Sequence, residues 1–415
     1  MKIKFASKNK FKPEILLERL HKIKTIKDDG KVSFIAFDSV EIEWILLSHL
    51  KFECEISVIS KQEIVNKTLK EVAVKNIKDS GGLIDILNEK LKQHNSKPEK
   101  YYFLLSSISV NKLPFRKIKI NDCEITISGK EFPIIFRSHR DELYKRNYQK
   151  SEHNNFLKVI VKTKGRDFKD TFDKAQNSLD IFRAFLCLYL NPLFQVPLNS
   201  VSLNPINRVV NGEFASLHYE SGETVHKSLH LFRTNFQDKL YNLNQRDLDF
   251  IKKEVSWAIN KYNSCKVKHR RSLGNVLKLY VNAFDEKDKY ICFLKGWTAL
   301  ENLVDSDKND EIINRCVSMY SSDMKSSQTL ILEGLRIFRN ELVHDGLNDL
   351  NPLVHCCQIQ NFIYNLLIKF NLKYSGFFNN IIEANDFLDK NKTDLRDLEI
   401  EKKLLDKVIK TRSLK

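Results

Sequence analysis

The sequence predicts an α+β protein in which a mixed α/β region precedes an all-α bundle. The first half carries short runs that alternate apolar and polar residues, as half-buried strands do. From Gln245 to Leu388, apolar residues recur every three or four positions and Pro352 is the only proline. We therefore predict a mixed α/β domain at 1–240, a helical bundle at 241–390, and a charged tail or docking helix at 391–415.

Periodicity in the first half predicts two helices among the strands. The first helix spans 62–78 and ends before Gly81-Gly82, and the second spans 171–190 and ends at Asn191-Pro192. Asn211-Gly212, between two strand-like runs, predicts a hairpin turn. The predicted strands are 31–37, 41–45, 52–59, 101–110, 123–128, 132–137 and 156–162.

In the second half, six helical patterns follow one another. Pro352 suits the first position of a helix, because the N–H that proline lacks has no intrahelical partner there. The pattern at 273–305 is either one helix or two helices joined at 286–288. The predicted helices are 247–265, 273–305, 310–320, 327–344, 352–372 and 378–388.

The composition of the chain favours some classes of binding partner over others. The 415 residues carry a formal charge of +16, which favours a polyanionic partner, nucleic acid before an anionic membrane surface. A basic protein with a merely solvated surface stays open. No run approaches 18 apolar residues and the N-terminus lacks the apolar core of a signal peptide, so we expect a cytoplasmic protein without a membrane partner.

The sequence gives little support for a metal site or a bound cofactor. None of the eight cysteines form a C-x-x-C pair, and tetrahedral zinc sites need closely paired ligands. In His355-Cys356-Cys357, adjacent helical side chains diverge by about 100°. No glycine-rich phosphate loop is present. We predict neither a metal nor a cofactor.

The helix at 327–344 ends in the run Arg339-Asn340-Glu341-Leu342-Val343-His344. A neutral imidazole can take a proton from an RNA 2′-hydroxyl, and an imidazolium can protonate the leaving oxygen. A guanidinium stabilises charge that builds on the phosphate, and Asn340 is placed to orient His344 or contact substrate. A helix-ending histidine that only caps the helix or faces solvent is the alternative.

The spacing of the motif has a geometric consequence. Ile331, Leu335, Phe338 and Leu342 form one apolar stripe that faces the core. Arg339 and His344 are five residues and about 140° apart on an ideal helix. Either the last turn distorts before Gly346, a C-terminal cap residue, or two copies of the chain share the site across a two-fold interface.

These residues resemble a known family. Arg339–His344 is similar to the R-x4-6-H signature of HEPN domains, in which Asn, Asp or His typically follows the arginine. The run 293–303 (FLKGWTALENL) resembles the W-x-A-L-E-x-L helix of the Apea-like branch, and Asn314-Arg315-Cys316-Val317-Ser318 comes next, in the expected order. The resemblance covers residues 245–390, about a third of the chain.

The resemblance implies an all-α HEPN-type fold, homodimerisation through the motif helices and metal-independent RNA cleavage. Arg339 and His344 would be catalytic, with Asn340 in support, and Glu301 would either orient Arg339 or cap a polar network in the bundle. Many relatives are toxins or abortive-infection effectors against phage. RNA, with tRNA as one candidate, a phage trigger and an antitoxin are then the expected partners. The alternative is a non-catalytic RNA-binding or regulatory HEPN protein.

A basic cluster lies between two predicted helices of the bundle. Lys266, Lys268, Arg270 and Arg271 form the densest group of cations in the chain. Since phosphate contacts depend on local cation density, we predict that these residues bind RNA. A solvated interhelical loop is the competing interpretation.

Overall fold

The computed structural model confirms the α+β class. It describes residues 2–6, 11–26, 32–54, 56–148, 155–192, 204–233, 239–344, 346, 352–390 and 395–413. Among these residues, no helix combines the length and the apolar character that crossing a bilayer requires.

The first hundred residues form a unit with its own hydrophobic core. Four helices surround two small antiparallel pairs, β1 with β4 and β2 with β3. Leu20, Val72 and Leu87 are fully buried at its centre. The elements are β1 Ile3–Phe5, α1 Pro13–Ile23, β2 Lys24–Ile26, β3 Val32–Phe34, α2 Ala36–His49, β4 Leu50–Phe52, α3 Val58–Lys75 and α4 Ser80–Asn95.

Several predictions for this unit were wrong. The predicted strand 41–45 lies inside α2, and 52–59 is a strand only at its first residue, because α3 begins at Val58. The predicted helix 62–78 is confirmed as α3. Gly81-Gly82 does not end a helix as predicted, because both residues lie in the first turn of α4. There Asp79 Oδ1 accepts the N–H of Gly82 at 2.8 Å, as an N-cap residue does.

A six-stranded antiparallel sheet forms the centre of the molecule, in the order β10-β9-β5-β8-β7-β6. Its two longest strands, β5 and β8, pair over their full length, from Lys100 with Gly165 to Ile108 with Leu157. The strands are β5 Lys100–Ile108, β6 Lys117–Ile120, β7 Cys123–Gly129, β8 Leu157–Gly165, β9 Phe214–His218 and β10 His230–Phe232.

Both faces of the sheet are covered. Helix α6 (Phe168–Leu190) packs on one face, and its Leu179 and Phe182 are fully buried. Helix α5 (Ile134–Tyr148) covers the other face, where Phe136 joins Leu105 and Ile160 in a small core. The predicted strand 132–137 was therefore wrong, since most of it is the first turn of α5.

Asn211-Gly212 does not form the predicted hairpin. The N–H of Gly212 donates to Ser107 O at 2.7 Å, so the segment runs beside β5 before β9 begins. A Cβ at Gly212 would lie 2.0 Å from Ser107 Oγ. Glycine is required here by close backbone approach and not by a turn.

The second half is helical. The predicted helix 273–305 is two helices that meet near 285–288, one of the two alternatives. A π-helical segment, Asn365–Leu372, continues α12 without a break. The helices are α7 Gln245–Ser264, α8 Val267–Phe284, α9 Lys289–Val304, α10 Asn309–Val317, α11 Ser322–His344, α12 Pro352–Tyr364 and α13 Ile381–Lys390.

One continuous hydrophobic core runs from the sheet through α6 into the bundle. At this junction Arg183 of α6 is 1% exposed and donates from both terminal nitrogens to Asp285, each at 2.8 Å. A bidentate pair of this kind holds the end of α8 to α6 with defined geometry. The division at residue 240 stays a prediction.

The segment at 391–415 contains a further helix, α14, from Leu395 to Ser413. Residues 399–410 are exposed, including the apolar side chains of Leu404 and Ile409. Lys390 at the end of α13 donates to Glu401 at 2.7 Å. The described part of this segment, residues 395–413, is thus a helix, and this ion pair is one link between it and the bundle.

Candidate active site on the motif helix

Helix α11 carries the motif and is held to the bundle by its apolar stripe. Leu335 and Phe338 are buried, and Ile331 and Leu342 pack against the same core at its edge. The ring of Phe338 lies 4.7 Å from that of Phe293 on α9, measured between centroids. The predicted core face of this helix is therefore confirmed.

Phe338 also contacts a histidine of α12. The centroid of the His355 ring lies 4.5 Å from that of Phe338, and its Nδ1 is 3.1 Å from Gln358 Oε1. This imidazole therefore packs beside the motif helix. The described residues hold no group of three or more His, Cys, Asp or Glu side chains arranged to bind a metal.

Arg339 is half-buried. Its Nη1 donates to Oδ1 of Asn340 at 3.3 Å. The distance is at the long end for an N–H···O hydrogen bond. A guanidinium has five N–H donors, so among the described residues this contact orients Arg339 and leaves further donors that an anionic ligand can use.

His344 is the last residue of α11 and is exposed. Past the end of the helix, Gly346 has φ +65° and donates its N–H to Glu341 O at 3.2 Å, as predicted for a C-terminal cap residue. Asp345 lies outside the described residues. The imidazole is thus accessible to a ligand at a helix C-terminus, where a positive charge is favoured.

The outward side of α11 carries two large apolar side chains that are exposed in the single chain, beside the ion pair of Glu333 with Arg336. Leu330 is 74% exposed and Ile337 is 48% exposed. At about 100° per residue, Leu330, Ile337 and His344 lie within about 40° of one another around the helix. Gly334, between them, has nothing within 4 Å of a Cβ placed on it. This outer face was missed from the sequence, although the seven-residue spacing of its members was a readable signal.

Glu301 occupies a structural position on α9. Its Oε1 accepts the indole N–H of Trp297 at 2.7 Å, and Trp297 is 2% exposed. The hydrogen bond of Arg339 goes to Asn340 and not to Glu301. Of the two predicted roles, this contact supports a place in the polar network of the bundle.

The basic cluster is not an interhelical loop. Lys266 is the N-cap of α8 and the others lie in its first turns. Lys266, Lys268 and Arg271 are exposed, whereas Arg270 donates to Asn263 O at 2.8 Å and is half-buried. His269 is buried among them, and burial lowers the pKa of its imidazole.

The structure thus brings together some of the predicted residues. Arg339 and Asn340 are in contact, and His344 follows one turn later on the same helix. The basic cluster and Glu301 lie on α8 and α9, and their described hydrogen bonds connect neither to the motif. Comparison with protein-family models, with curated proteins and with solved structures finds no match.

Proposed function

We propose that this protein is a homodimeric endoribonuclease of the HEPN type that cleaves RNA without a metal ion. The observation that carries this proposal is the end of α11. There an oriented arginine and an accessible histidine share a helix with two exposed apolar side chains, Leu330 and Ile337.

The chemistry uses the 2′-hydroxyl of RNA as the nucleophile. One imidazole takes the proton of that hydroxyl, and the 2′-oxygen bonds to the adjacent phosphorus. The bond from phosphorus to the 5′-oxygen breaks as that oxygen receives a proton from an imidazolium. Arg339 donates to the phosphate oxygens as charge builds there. The products are a 2′,3′-cyclic phosphate and a 5′-hydroxyl.

A second copy places a second motif helix beside the first. Arg339 and His344 diverge by about 140° on an ideal helix, so one helix does not aim both at one phosphate. Pairing of the outer faces at Leu330 and Ile337 about a two-fold axis brings the two His344 side chains to one interface and removes exposed apolar surface from water. The formal charge of +16 suits an RNA substrate.

The biological setting follows from the resemblance alone. An RNase of this kind is toxic to its host, so the region before residue 240 would sense a trigger or restrain the nuclease. An anti-phage abortive-infection effector or a toxin with an antitoxin partner fits that design, with tRNA among the candidate targets.

A non-catalytic RNA-binding or regulatory HEPN protein is the second candidate. The observation that favours it is the separation of the motif residues: in one chain, the described contacts join Arg339 to Asn340 but not to His344. If the chains do not pair through α11, no complete site forms.

Cleavage of total RNA, with and without EDTA, separates the two candidates. We expect the wild type to cut in both conditions, and His344→Ala and Arg339→Ala to lose activity by at least about a hundredfold. His226→Ala is the matched control, because His226 is exposed and remote in sequence from the motif. Activity that disappears with EDTA, or that survives in both motif variants, would contradict the mechanism. RNA binding without cutting supports the second candidate.

A further inference from the structure

A cleft lies between α6, α7 and the π-helical segment after α12. Its volume is 570 Å³, within the range of sites that hold a small organic ligand. π-helical turns are rare and frequently occur at functional sites. None of the residues that line the cleft belongs to α11, so the cleft is separate from the motif.

Aromatic rings form one wall of the cleft. Tyr189, Trp257 and Tyr364 line it, above the buried side chain of Ile368. The Tyr189 and Tyr364 rings meet edge to face, with centroids 5.9 Å apart and an interplanar angle of 89°. Trp257 is half-buried. This wall offers apolar surface and ring faces to a flat ligand.

Lysines form the rim. Lys253, Lys369 and Lys373 are exposed at the edge of the cleft, and Lys369 Nζ is 5.8 Å from the centroid of the Tyr364 ring. The one carboxylate, that of Glu254, lies 3.3 Å from Lys253 Nζ. Three ammonium groups against one carboxylate leave the rim positive, and an anionic group is favoured there.

We propose that this cleft binds a nucleotide, with its base against Trp257 and Tyr364 and its phosphate at Lys369 and Lys373. A purely apolar ligand would make no use of the rim, and inorganic phosphate would make no use of the rings. Glu254 can accept hydrogen bonds from ribose hydroxyls or an exocyclic amine. A free nucleotide and one nucleotide of a single RNA strand share this chemistry. The proposal does not rest on RNA cleavage by the motif.

The test is calorimetric titration of the full-length protein with AMP, ATP, pyrophosphate and a short 2′-O-methyl RNA, which lacks the nucleophilic hydroxyl. We expect AMP, ATP or the RNA to bind with Kd below about 1 mM. Lys369→Glu and Lys373→Glu should each weaken this binding by about tenfold or more, and Trp257→Ala likewise. Lys402→Glu, at an exposed position of α14, is the matched control and should bind as the wild type does.

Each result of these titrations either supports or contradicts the nucleotide site. Binding of ATP or AMP identifies a free nucleotide, and binding of the RNA alone identifies a strand; both support the site. The proposal is overturned if no nucleotide or RNA binds, if pyrophosphate binds as tightly as ATP, or if both lysine variants bind normally. Since both lysines are exposed, these variants keep the test valid even where Trp257→Ala fails to fold.

Discussion

The guanidinium of Arg339 is held by its own sequence neighbour: Nη1 donates to Asn340 Oδ1 at 3.3 Å. Adjacent side chains leave a helix about 100° apart, so this contact bends the arginine around the helix toward the polar side. Asn340 thereby sets where the charge of Arg339 is presented.

Replacing Asn340 by alanine should lower the rate of RNA cleavage. Without its acceptor, Arg339 samples more orientations, so we expect kcat to fall about tenfold, less than the hundredfold or more expected for Arg339→Ala. KM for RNA should change little, because the charge remains. Single-turnover cleavage measures this, with Asn302→Ala on the exposed side of α9 as the control. Unchanged kcat in Asn340→Ala would remove Asn340 from the site.

The outer face of α11 should control self-association. Leu330→Lys places a charge on a side chain that is 74% exposed in the single chain, so folding should be preserved while a paired apolar interface is disrupted. We expect light scattering over a dilution series to show a dimer for the wild type and a monomer for this variant, with cleavage lost in parallel. Ile382→Lys, at a 57% exposed position of α13, should leave both unchanged. A Leu330→Lys dimer that still cuts RNA argues against pairing through this face.

Local sequence signals predicted the bundle well and parts of the first half poorly, for a physical reason. The stripe of α11 repeats over several turns, so its period is unambiguous. The run Phe132–Phe136 is too short for periodicity to separate a strand from a helix, and its packing on the sheet as part of α5 is a tertiary effect. Gly81-Gly82 looks like a helix break unless Asp79 is read as the N-cap before it.

The functional residues also differ in how far the sequence predicts their arrangement. Arg339, Asn340 and His344 are close in sequence, so helix geometry places them from the sequence alone. Tyr189, Trp257 and Tyr364 come from three elements far apart in the chain, and only the packing of those elements makes a cleft.

The exposed lysines at the start of α8 should contribute to RNA affinity through charge alone. We expect the double variant Lys266→Glu, Lys268→Glu to weaken RNA binding similarly for different sequences, and to reduce the slope of log K against log salt by about one or two. Filter binding at several salt concentrations measures this. Lys402→Glu with Lys403→Glu on α14 removes the same charge elsewhere. An equal effect of both pairs would point to net charge and not to a local contact.

Glu301 should tolerate glutamine and not alanine. Glutamine keeps an oxygen that accepts the indole N–H of Trp297, now 2.7 Å from Glu301 Oε1. Alanine leaves that buried donor without a partner, at a cost of about 1–3 kcal/mol. Urea unfolding should therefore show a loss for Glu301→Ala alone, and RNA cleavage by Glu301→Gln should stay within about twofold of the wild type. A large loss of activity in a stable Glu301→Gln variant would give this carboxylate a direct role in orienting Arg339.

His218 should make the fold sensitive to acid. Its Nδ1 lies 2.8 Å from Gly222 O, which can only accept, so Nδ1 carries the proton and Nε2 accepts from Ser216 Oγ at 2.8 Å. Burial, together with the nearby charge of Arg140, lowers the pKa of this imidazole to about 4, although the hydrogen bond to Gly222 O opposes the shift. In the unfolded chain the pKa is about 6.5, so between these values the unfolded state binds the extra proton. The stabilisation is complete above about pH 6.5 and is lost as pH falls to about 4, a change of about 3 kcal/mol.

Urea unfolding of the wild type and His218→Gln at several pH values tests this. The variant should be less stable at pH 7 because the hydrogen bonds of the imidazole are altered. It should lose about 3 kcal/mol less than the wild type between pH 6.5 and 4, since glutamine does not titrate. His226→Gln removes an exposed imidazole and should keep the wild-type dependence. If His218→Gln and the wild type lose stability in parallel, the proton is taken up elsewhere, because only a group whose pKa differs between the folded and unfolded states contributes to the slope.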